Sequence, residues 1–258
     1  MNELKDLFDS MLRGDTTAVR EALLQHPELA TSADKNGKTP LHMAGEKNNA
    51  EAAKILLSLG AELERETQWG MTPLEWAANT GGLSVVDMLQ RRGARMNMRS
   101  AAAVGKLDLV QSFWESARVL KPGAAQKAFR QTENGVFIAD APPTDYEKIV
   151  SDAFYIACRN GHPAVAAWLL ERGAEIDYRG YFGATALHWA AGNGHQQTVH
   201  FLIDRGARTD LKDDEFDALP AEWARNFCHT EIAAMLDAAA GSPRNQSRSP
   251  EEPPSSCI

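Results

Sequence analysis

Seven histidines and three cysteines are the side chains of this 258-residue chain best suited to metal binding or nucleophilic catalysis. Three of the histidines, His162, His195 and His229, recur at intervals of 33 and 34 residues. If each belongs to its own helical unit, stacking separates them by about 8–10 Å, whereas one zinc ion needs ligand nitrogens at about 2 Å. We therefore expect these histidines to hydrogen-bond the backbone near turns, and the sequence predicts no metal site.

The cysteines Cys158, Cys228 and Cys257 are too few for a disulfide framework. Cys158 lies in an apolar run and is expected to be a small buried hydrophobe. Cys228 belongs to another unit about twice the helix spacing away, whereas a disulfide needs Cα atoms within about 7 Å. No Ser-His-Asp arrangement, carboxylate pair or glycine-rich phosphate loop shares one spatial frame. The sequence therefore predicts free thiols, no catalytic residues and no cofactor.

Short helices repeated along the chain must position these residues. The clearest copy runs from Gly183 to Ala207, where Thr185 can cap the first helix, and Gly194 and Gly206 can end the helices in left-handed conformations. Apolar residues recur at helical spacing, which gives each helix one buried face. Neither helix reaches the roughly 12–15 residues that an isolated helix needs in water. The unit must therefore stack on neighbours.

Further copies of this unit open at Gly37 and Gly70, and a weaker copy begins at Asp217. The period of about 33 residues resembles that of ankyrin repeats. The motifs that carry the resemblance are Thr39-Pro40-Leu41-His42, Thr72-Pro73-Leu74-Glu75 and Thr185-Ala186-Leu187-His188. The resemblance covers about residues 1–240 and implies an all-α solenoid of about seven helix-turn-helix units with short β-hairpin fingers. The turns are expected at Gly14, Asn48, Gly81, Gly105, Gly161, Gly194 and Cys228.

The repeat pattern is irregular in the middle of the chain. The interval from Gly81 to Gly105 is 24 residues, and that from Gly105 to Gly161 is 56 residues. The short interval predicts that the fourth unit has lost its finger. The long interval predicts an insert at about 116–148, after which the fifth unit restarts at Ser151. Insertions in solenoids form loops on one face, which is often the binding face.

The charges of the insert divide into two halves. The first half is basic, with Arg118, Lys121, Lys127 and Arg130, and the second half is acidic, with Asp140, Asp145 and Glu147. A self-compensating surface is the favoured interpretation, and an anion site is the alternative. Residues 241–258 are rich in serine and proline and cannot build a core, so we expect a disordered tail.

Composition narrows the function classes. The formal net charge of -8 and the isoelectric point of about 5.4 argue against a nucleic-acid partner. No apolar run approaches the roughly 20 residues of a membrane span, so we expect no membrane contact. Few cysteines and no signal-peptide pattern fit the cytoplasm, and the nucleus is also compatible. We expect the chain to be monomeric when alone.

In ankyrin proteins, partners usually contact the finger tips and the outward positions of the first helices. The resemblance therefore implies a concave protein-binding face. Its expected residues are Lys35, Asn36, Lys38, Gln68, Trp69, Met71, Asn79, Arg159, Tyr181, Phe182, Asn193, Phe216 and Phe227. Large aromatic side chains are typical anchors of protein interfaces. The alternative is that the insert folds over some of these rings and makes them intramolecular contacts.

Two further interpretations concern tryptophans and enzymes. Trp76, Trp189 and Trp223 follow the histidine position of their repeats, and their register predicts core packing rather than an aromatic binding ladder. The sequence thus predicts a protein-interaction module and no enzyme. The alternative is an enzyme, or a regulatory subunit of one, with its site at the junction of insert and solenoid. Convergent polar side chains in a pocket there would indicate that alternative.

Overall fold

The computed structural model describes residues 3–127, 129–131, 137–139 and 142–241. Within them, fourteen α-helices form seven consecutive pairs. The pairs are α1 (Glu3–Arg13) with α2 (Thr16–Gln25), α3 (Pro40–Glu46) with α4 (Ala50–Ser58), α5 (Pro73–Asn79) with α6 (Leu83–Arg91), α7 (Met98–Ala103) with α8 (Leu107–Gln111), α9 (Tyr146–Arg159) with α10 (Pro163–Leu170), α11 (Ala186–Gly192) with α12 (Gln196–Asp204), and α13 (Pro220–Asn226) with α14 (Thr230–Ala240). The solenoid of seven units is confirmed.

Local chemistry explains where these helices begin and end. Thr39 accepts a bond from the His42 backbone N–H, and Pro40 follows it at the first helical position. Every predicted turn residue has a positive φ, including the two that are not glycine, Asn48 at 48° and Cys228 at 64°. This conformation reverses the chain between the helices of a pair.

Small residues let the first helices stack closely. A Cβ added to Gly45 would lie 2.8 Å from the Ala77 Cβ, so the two helices approach as near as their backbones allow. The core also contains the signature leucines and Cys158, which is buried, and burial raises the pKa of its thiol. Cys158 and Cys228 are both free thiols, as expected. Cys257 lies outside the described residues.

The turn histidines bond the backbone, as the sequence predicts. His162 Nε2 lies 3.1 Å from the Ala103 carbonyl oxygen. Its ring occupies the space beside Gly105, where an added Cβ would come within 2.6 Å of Nδ1. His195 takes the same place beside Gly161. The rings of His162 and His195 thus join each unit to the previous one.

The middle of the chain matches the predicted irregularity but differs in its bounds. The fourth unit has no finger, since α6 and α7 are joined by a short loop that ends at the capping residue Asn97. Helix α9 begins at Tyr146, earlier than the predicted Ser151, because Asp145 caps it and the Tyr146 ring packs edge-on against Trp114. The fifth unit therefore starts within the segment predicted as insert.

The insert itself contains strands. An antiparallel pair joins β1 (Trp114–Ser116) to β2 (Val119–Leu120), and a second pair joins β3 (Phe129–Gln131) to β4 (Phe137–Ala139). The chain thus leaves the helical pattern slightly before residue 116. The side chains of Arg130 and Asp140, and the predicted tail from residue 242 onward, lie outside the described residues.

Candidate functional site

Four finger turns project from the same edge of the stack. In each turn the backbone N–H of the first residue donates to the carbonyl oxygen of the last. The pairs are Asp34 and Lys38 at 2.9 Å, Thr67 and Met71 at 3.0 Å, Gly180 and Ala184 at 3.1 Å, and Asp213 and Ala218 at 3.0 Å. The missing finger of the fourth unit and the insert of the fifth separate the first two turns from the last two. The finger face therefore has an N-terminal and a C-terminal part.

The two N-terminal fingers are bonded to each other. The Gln68 backbone N–H donates to the Asn36 carbonyl at 2.8 Å, and the Gln68 side-chain amide donates to the Asn36 side chain at 3.1 Å. Lys35 is exposed beside them, and Met71 is buried beneath them. Asn79 Nδ2 approaches the Met71 sulfur at 4.0 Å. These contacts hold the two fingers as one rigid edge.

Trp69 and Trp76 form the N-terminal aromatic pair, with ring centroids 5.7 Å apart. The Trp76 indole donates to Glu46 at 3.1 Å, and the Lys38 ammonium lies 2.6 Å from the same carboxylate. Burial raises the pKa of Glu46, but the bonds from Lys38 and Trp76 outweigh that effect, so its pKa is lowered. A charged and fully bonded patch thus surrounds this pair.

The C-terminal fingers carry a larger group, which we name the C-terminal aromatic cluster: Phe182, Trp189, Phe216 and Trp223. Phe182 and Phe216 remain 51% and 66% exposed, with ring centroids 6.4 Å apart. Phe182 also lies 6.4 Å from Trp189, and the two tryptophans meet edge-on at 5.0 Å. The cluster is therefore an open apolar surface with a buried base.

The structure buries the three tryptophans to different depths. Trp223 is a core residue, 6% exposed, with its indole N–H bonded to Asp213 at 2.9 Å. Trp76 and Trp189 are less deeply buried than Trp223, although Trp189 still packs against the core. The Arg159 guanidinium lies 4.3 Å above the Trp189 ring.

The remaining predicted contact residues are divided between surfaces. Asn193 is exposed and donates to the Arg159 carbonyl at 2.9 Å. Phe227 directly follows α13 and is 61% exposed, and its ring lies beside Gly192 at the end of α11. Tyr181 instead turns toward the insert, where its ring lies 6.4 Å from that of Tyr155 and 5.4 Å from the Arg99 guanidinium. Tyr181 therefore belongs to a second site.

That second site, the junction pocket, is a cavity of about 400 Å³ between the insert and the third finger turn. It contains convergent polar side chains that sequence reasoning missed: Arg99 from α7, Asp152 and Tyr155 from α9, and Gln126 from the insert. Arg99 is 4% exposed and one of its terminal nitrogens bonds Asp152. The sequence did contain a signal for this pocket. Arg99 and Tyr155 replace histidine at the repeat position that His42 and His188 occupy in other units.

A family comparison accounts for the repeated geometry. The model for ankyrin repeats (3 copies) matches residues 7–100 and 136–236, which is most of the chain. The chain belongs to the ankyrin-repeat family. Ankyrin repeats generally mediate protein–protein interactions, and the family is typically a non-enzymatic interaction module.

This ankyrin-repeat chain is similar to small parts of longer proteins. It is 30% identical over 168 residues to the transient receptor potential cation channel subfamily A member 1 homolog of Caenorhabditis elegans, and 38% identical over 88 residues to the neurogenic locus Notch protein of Drosophila melanogaster. The matches cover 64% and 33% of this chain but only 12% and 3% of those proteins. The human ASB11 ankyrin repeat domain matches at a TM-score of 0.44 and 21% identity, over 92% of this chain and 98% of that domain.

The described part of this ankyrin-repeat chain has one group of side chains with metal-ligand spacing. Glu3, His26 and Glu28 are the one trio there with ligand atoms close enough to share a metal, and they lie at the open surface of the first unit. Exposed acidic groups are common without an ion, so we assign no metal to them. None of the described helices combines the length and apolar character that crossing a membrane requires.

Proposed function

We propose that the chain binds a protein partner through its finger face, with the C-terminal aromatic cluster as the anchor site. The observation that carries this proposal is the exposure of Phe182 and Phe216 side by side on adjacent fingers. Covering a large apolar side chain contributes about 1.5–3 kcal/mol when it is fully buried. Two half-exposed rings can therefore supply the central anchors of an interface.

The backbone of Phe182 supports a functional role for its ring. Phe182 has φ 62° and ψ 19°, a left-handed conformation that a bulky side chain rarely adopts. Such a conformation costs on the order of 1–3 kcal/mol. The Phe182 carbonyl accepts the Asp214 backbone N–H at 2.8 Å, which holds the turn against the next finger. The fold thus maintains a strained residue that directs an apolar ring toward solvent.

The C-terminal fingers are also rigid before any partner arrives. Arg179 donates to the Gly183 carbonyl at 3.0 Å, to the Lys212 carbonyl at 2.9 Å and to the Asp214 carboxylate at 2.8 Å. One side chain therefore ties two fingers together with three bonds. A preformed surface loses less conformational entropy on binding than a mobile one. We infer that the partner presents an apolar side chain to this prepared surface.

The experiment is a pull-down with the full chain, followed by titration of the recovered partner. Phe216→Ala and Phe182→Asn should each weaken binding by about 2 kcal/mol, or roughly 30-fold, with little change in thermal stability. Asparagine is chosen at position 182 because it tolerates the left-handed conformation. Trp69→Ala tests whether the N-terminal pair takes part.

Leu24→Ala is the matched control, since Leu24 is an apolar residue on a second helix that is 69% exposed. It should leave both binding and stability unchanged. Wild-type affinity in both phenylalanine variants would overturn the proposed anchor site. Unfolding of both variants would instead assign the rings to the core.

A further inference from the structure

The junction pocket contains a cation that the protein satisfies only in part. Arg99 is buried in α7, and Asp152 accepts a bond from one of its terminal nitrogens. Its Nε and its other terminal nitrogen have no acceptor among the described residues. A guanidinium has five N–H donors in a planar fork, and that fork matches the geometry of a carboxylate or a phosphate. One donor edge of Arg99 therefore remains available to a second oxyanion.

Other buried polar atoms around the pocket are also without partners. The Gln126 side-chain oxygen is buried and makes no hydrogen bond within the described residues, and the buried Tyr155 hydroxyl has only a contact with the Tyr181 backbone that falls outside hydrogen-bond geometry. The Tyr155 ring reaches this place because position 180 is glycine: a Cβ on Gly180 would lie 2.3 Å from the Tyr155 Cζ. Native proteins bond nearly all buried polar groups. A cluster of unpaired ones around one cavity is therefore typical of a ligand site.

The charges around the pocket favour an anion. Four cationic side chains line it, Arg99, Lys127, Lys148 and Arg179, against the single carboxylate of Asp152. Glu66 pairs with Lys127 and Asp214 with Arg179, whereas Lys148 has no ion pair within the described residues. The pocket is therefore positive although the whole protein has a net charge of -8. A cleft lined by charges of one sign concentrates the electric field and attracts ligands of the opposite charge.

The tyrosines add donors and flat apolar surfaces. Burial raises the pKa of Tyr178 to about 12, and burial also raises the pKa of Tyr155, so both hydroxyls stay protonated near neutral pH. They can donate to an oxyanion but cannot act as general bases there. Convergent polar side chains at this junction also fit the alternative of an enzyme site, but the unpaired donors of Arg99 favour binding of an anion.

The loss of one finger creates this space. The fourth unit has no finger, and the insert stands where the finger of the fifth unit would face Arg99. The Met98 backbone N–H donates to the Ala124 carbonyl at 2.9 Å, and Lys127 lies 2.6 Å from Glu66 of the second finger segment. These bonds attach the insert to both sides of the gap. The cavity of about 400 Å³ falls within the usual range for small-molecule sites.

We propose that the junction pocket binds a small organic anion, with its carboxylate or phosphate on the free edge of Arg99 and a planar or apolar part against the tyrosine rings. This site is separate from the aromatic anchor of the finger face, although Phe182 borders both. The proposal does not depend on the protein partner. The carboxylate and the phosphate share the chemistry that Arg99 recognises.

Calorimetric titration of the full chain tests the proposal with four probes: benzoate, phenyl phosphate, inorganic phosphate and the neutral benzamide. Benzoate or phenyl phosphate should bind at least tenfold more tightly than benzamide. The stronger of the two identifies the oxyanion. Inorganic phosphate should bind more weakly than phenyl phosphate, because it makes no contact with the rings.

Arg99→Lys keeps a positive charge beside Asp152 but removes the planar fork, so it should weaken binding of the better anion at least tenfold. Tyr178→Phe removes one donor and should weaken it a few-fold. The control is Arg118→Lys, because Arg118 is an exposed arginine of the insert that pairs with Glu147. Melting curves verify that each variant is folded. If Arg99→Lys does not fold, weaker anion binding in Tyr178→Phe and Lys148→Gln tests the proposal instead.

Three results would overturn the proposal. Benzamide could bind as tightly as the anions, the pocket variants could bind like the wild type, or no anion could bind at millimolar concentration. If no anion binds while Arg99→Lys abolishes capture of the protein partner, the pocket is part of the protein interface and takes no free small molecule.

Discussion

One position of the repeat behaves in opposite ways in the fingered units and at the junction. Two of the four fingered units have His42 and His188 there, and the other two have Glu75 and Glu222. The Nδ1 atoms of the two histidines accept the backbone N–H of Thr39 and Thr185 at 3.1 and 3.0 Å. Their Nε2 atoms lie 3.0 and 3.1 Å from carbonyl oxygens of the next finger. Every polar atom of these buried rings has a partner, so the position is structural.

At the junction the same position holds Arg99 and Tyr155, and the polar atoms remain partly unpaired. The finger that would supply the accepting carbonyl to Arg99 is replaced by the insert. Asp152 takes the place of the capping threonine, but α9 starts before it, so its carboxylate is available to Arg99. Removing one finger therefore changed a structural position into a candidate binding position.

The largest expected effect concerns the pH dependence of the fingered units. Burial lowers the pKa of His42 from 6.5 to about 4, and burial lowers the pKa of His188 as well. An unfolded histidine takes up a proton near pH 6.5, whereas folded His42 stays neutral to about pH 4. Acid therefore favours the unfolded chain. His42 alone should remove on the order of 3 kcal/mol of unfolding free energy between pH 7 and pH 4.

Urea unfolding across that pH range measures the loss. The matched variant is His42→Gln, because glutamine can accept the Thr39 N–H but does not titrate. Its stability should fall less steeply with acid. An equally steep fall would show that the buried imidazole is not the source.

The next effect sharpens the comparison by removing one bonded ring. His188→Ala leaves the Thr185 N–H and the Ala218 carbonyl without their partner, so it should lower the unfolding free energy by about 2–3 kcal/mol. Urea unfolding at neutral pH measures it. His200→Ala is the control, since His200 is exposed on α12 and should change stability by less than about 0.5 kcal/mol. Equal losses would contradict a structural role of the repeat position.

Removing the polar side chains at the junction should not lower the unfolding free energy, in contrast to His188→Ala. The double variant Arg99→Met with Asp152→Asn removes an ion pair whose arginine is buried, together with two unpaired donors. Apolar replacement of such a pair is often neutral or stabilising, so we expect an unfolding free energy unchanged or raised by about 1 kcal/mol. Asp152→Asn alone leaves Arg99 without its carboxylate and should be less stable than the double variant. A double variant clearly weaker than the wild type would make Arg99 a structural residue.

The smallest effect concerns the charges of the insert. Arg118 and Glu147 lie 2.8 Å apart with side chains 62% and 68% exposed, so their pairing supports the self-compensating surface that the sequence favours. Exposed pairs contribute little, and a double-mutant cycle with Arg118→Gln and Glu147→Gln should give a coupling below about 0.5 kcal/mol. A coupling above 1 kcal/mol would assign this pair a role in attaching the insert.

Parts of the candidate site could be predicted because they depend on the repeat register alone. Phe182 and Phe216 follow from finger positions, and the structure leaves both exposed; their role as partner contacts stays a prediction. The register could not separate the partly buried Trp76 and Trp189 from the more deeply buried Trp223. That distinction depends on how many layers cover each ring, and sequence spacing does not contain this information.

The sequence by itself determined the repeated local structure of this protein. Capping threonines, left-handed turn residues such as Gly194, and the period of the apolar positions act within a few residues, so the pattern predicts seven helix pairs and one missing finger. Only the tertiary structure decided the junction pocket. Arg99 and Asp152 are 53 residues apart, and the start of α9 depends on Trp114 packing against Tyr146 across the insert. Contacts at such separation arise from packing, and no local pattern encodes them.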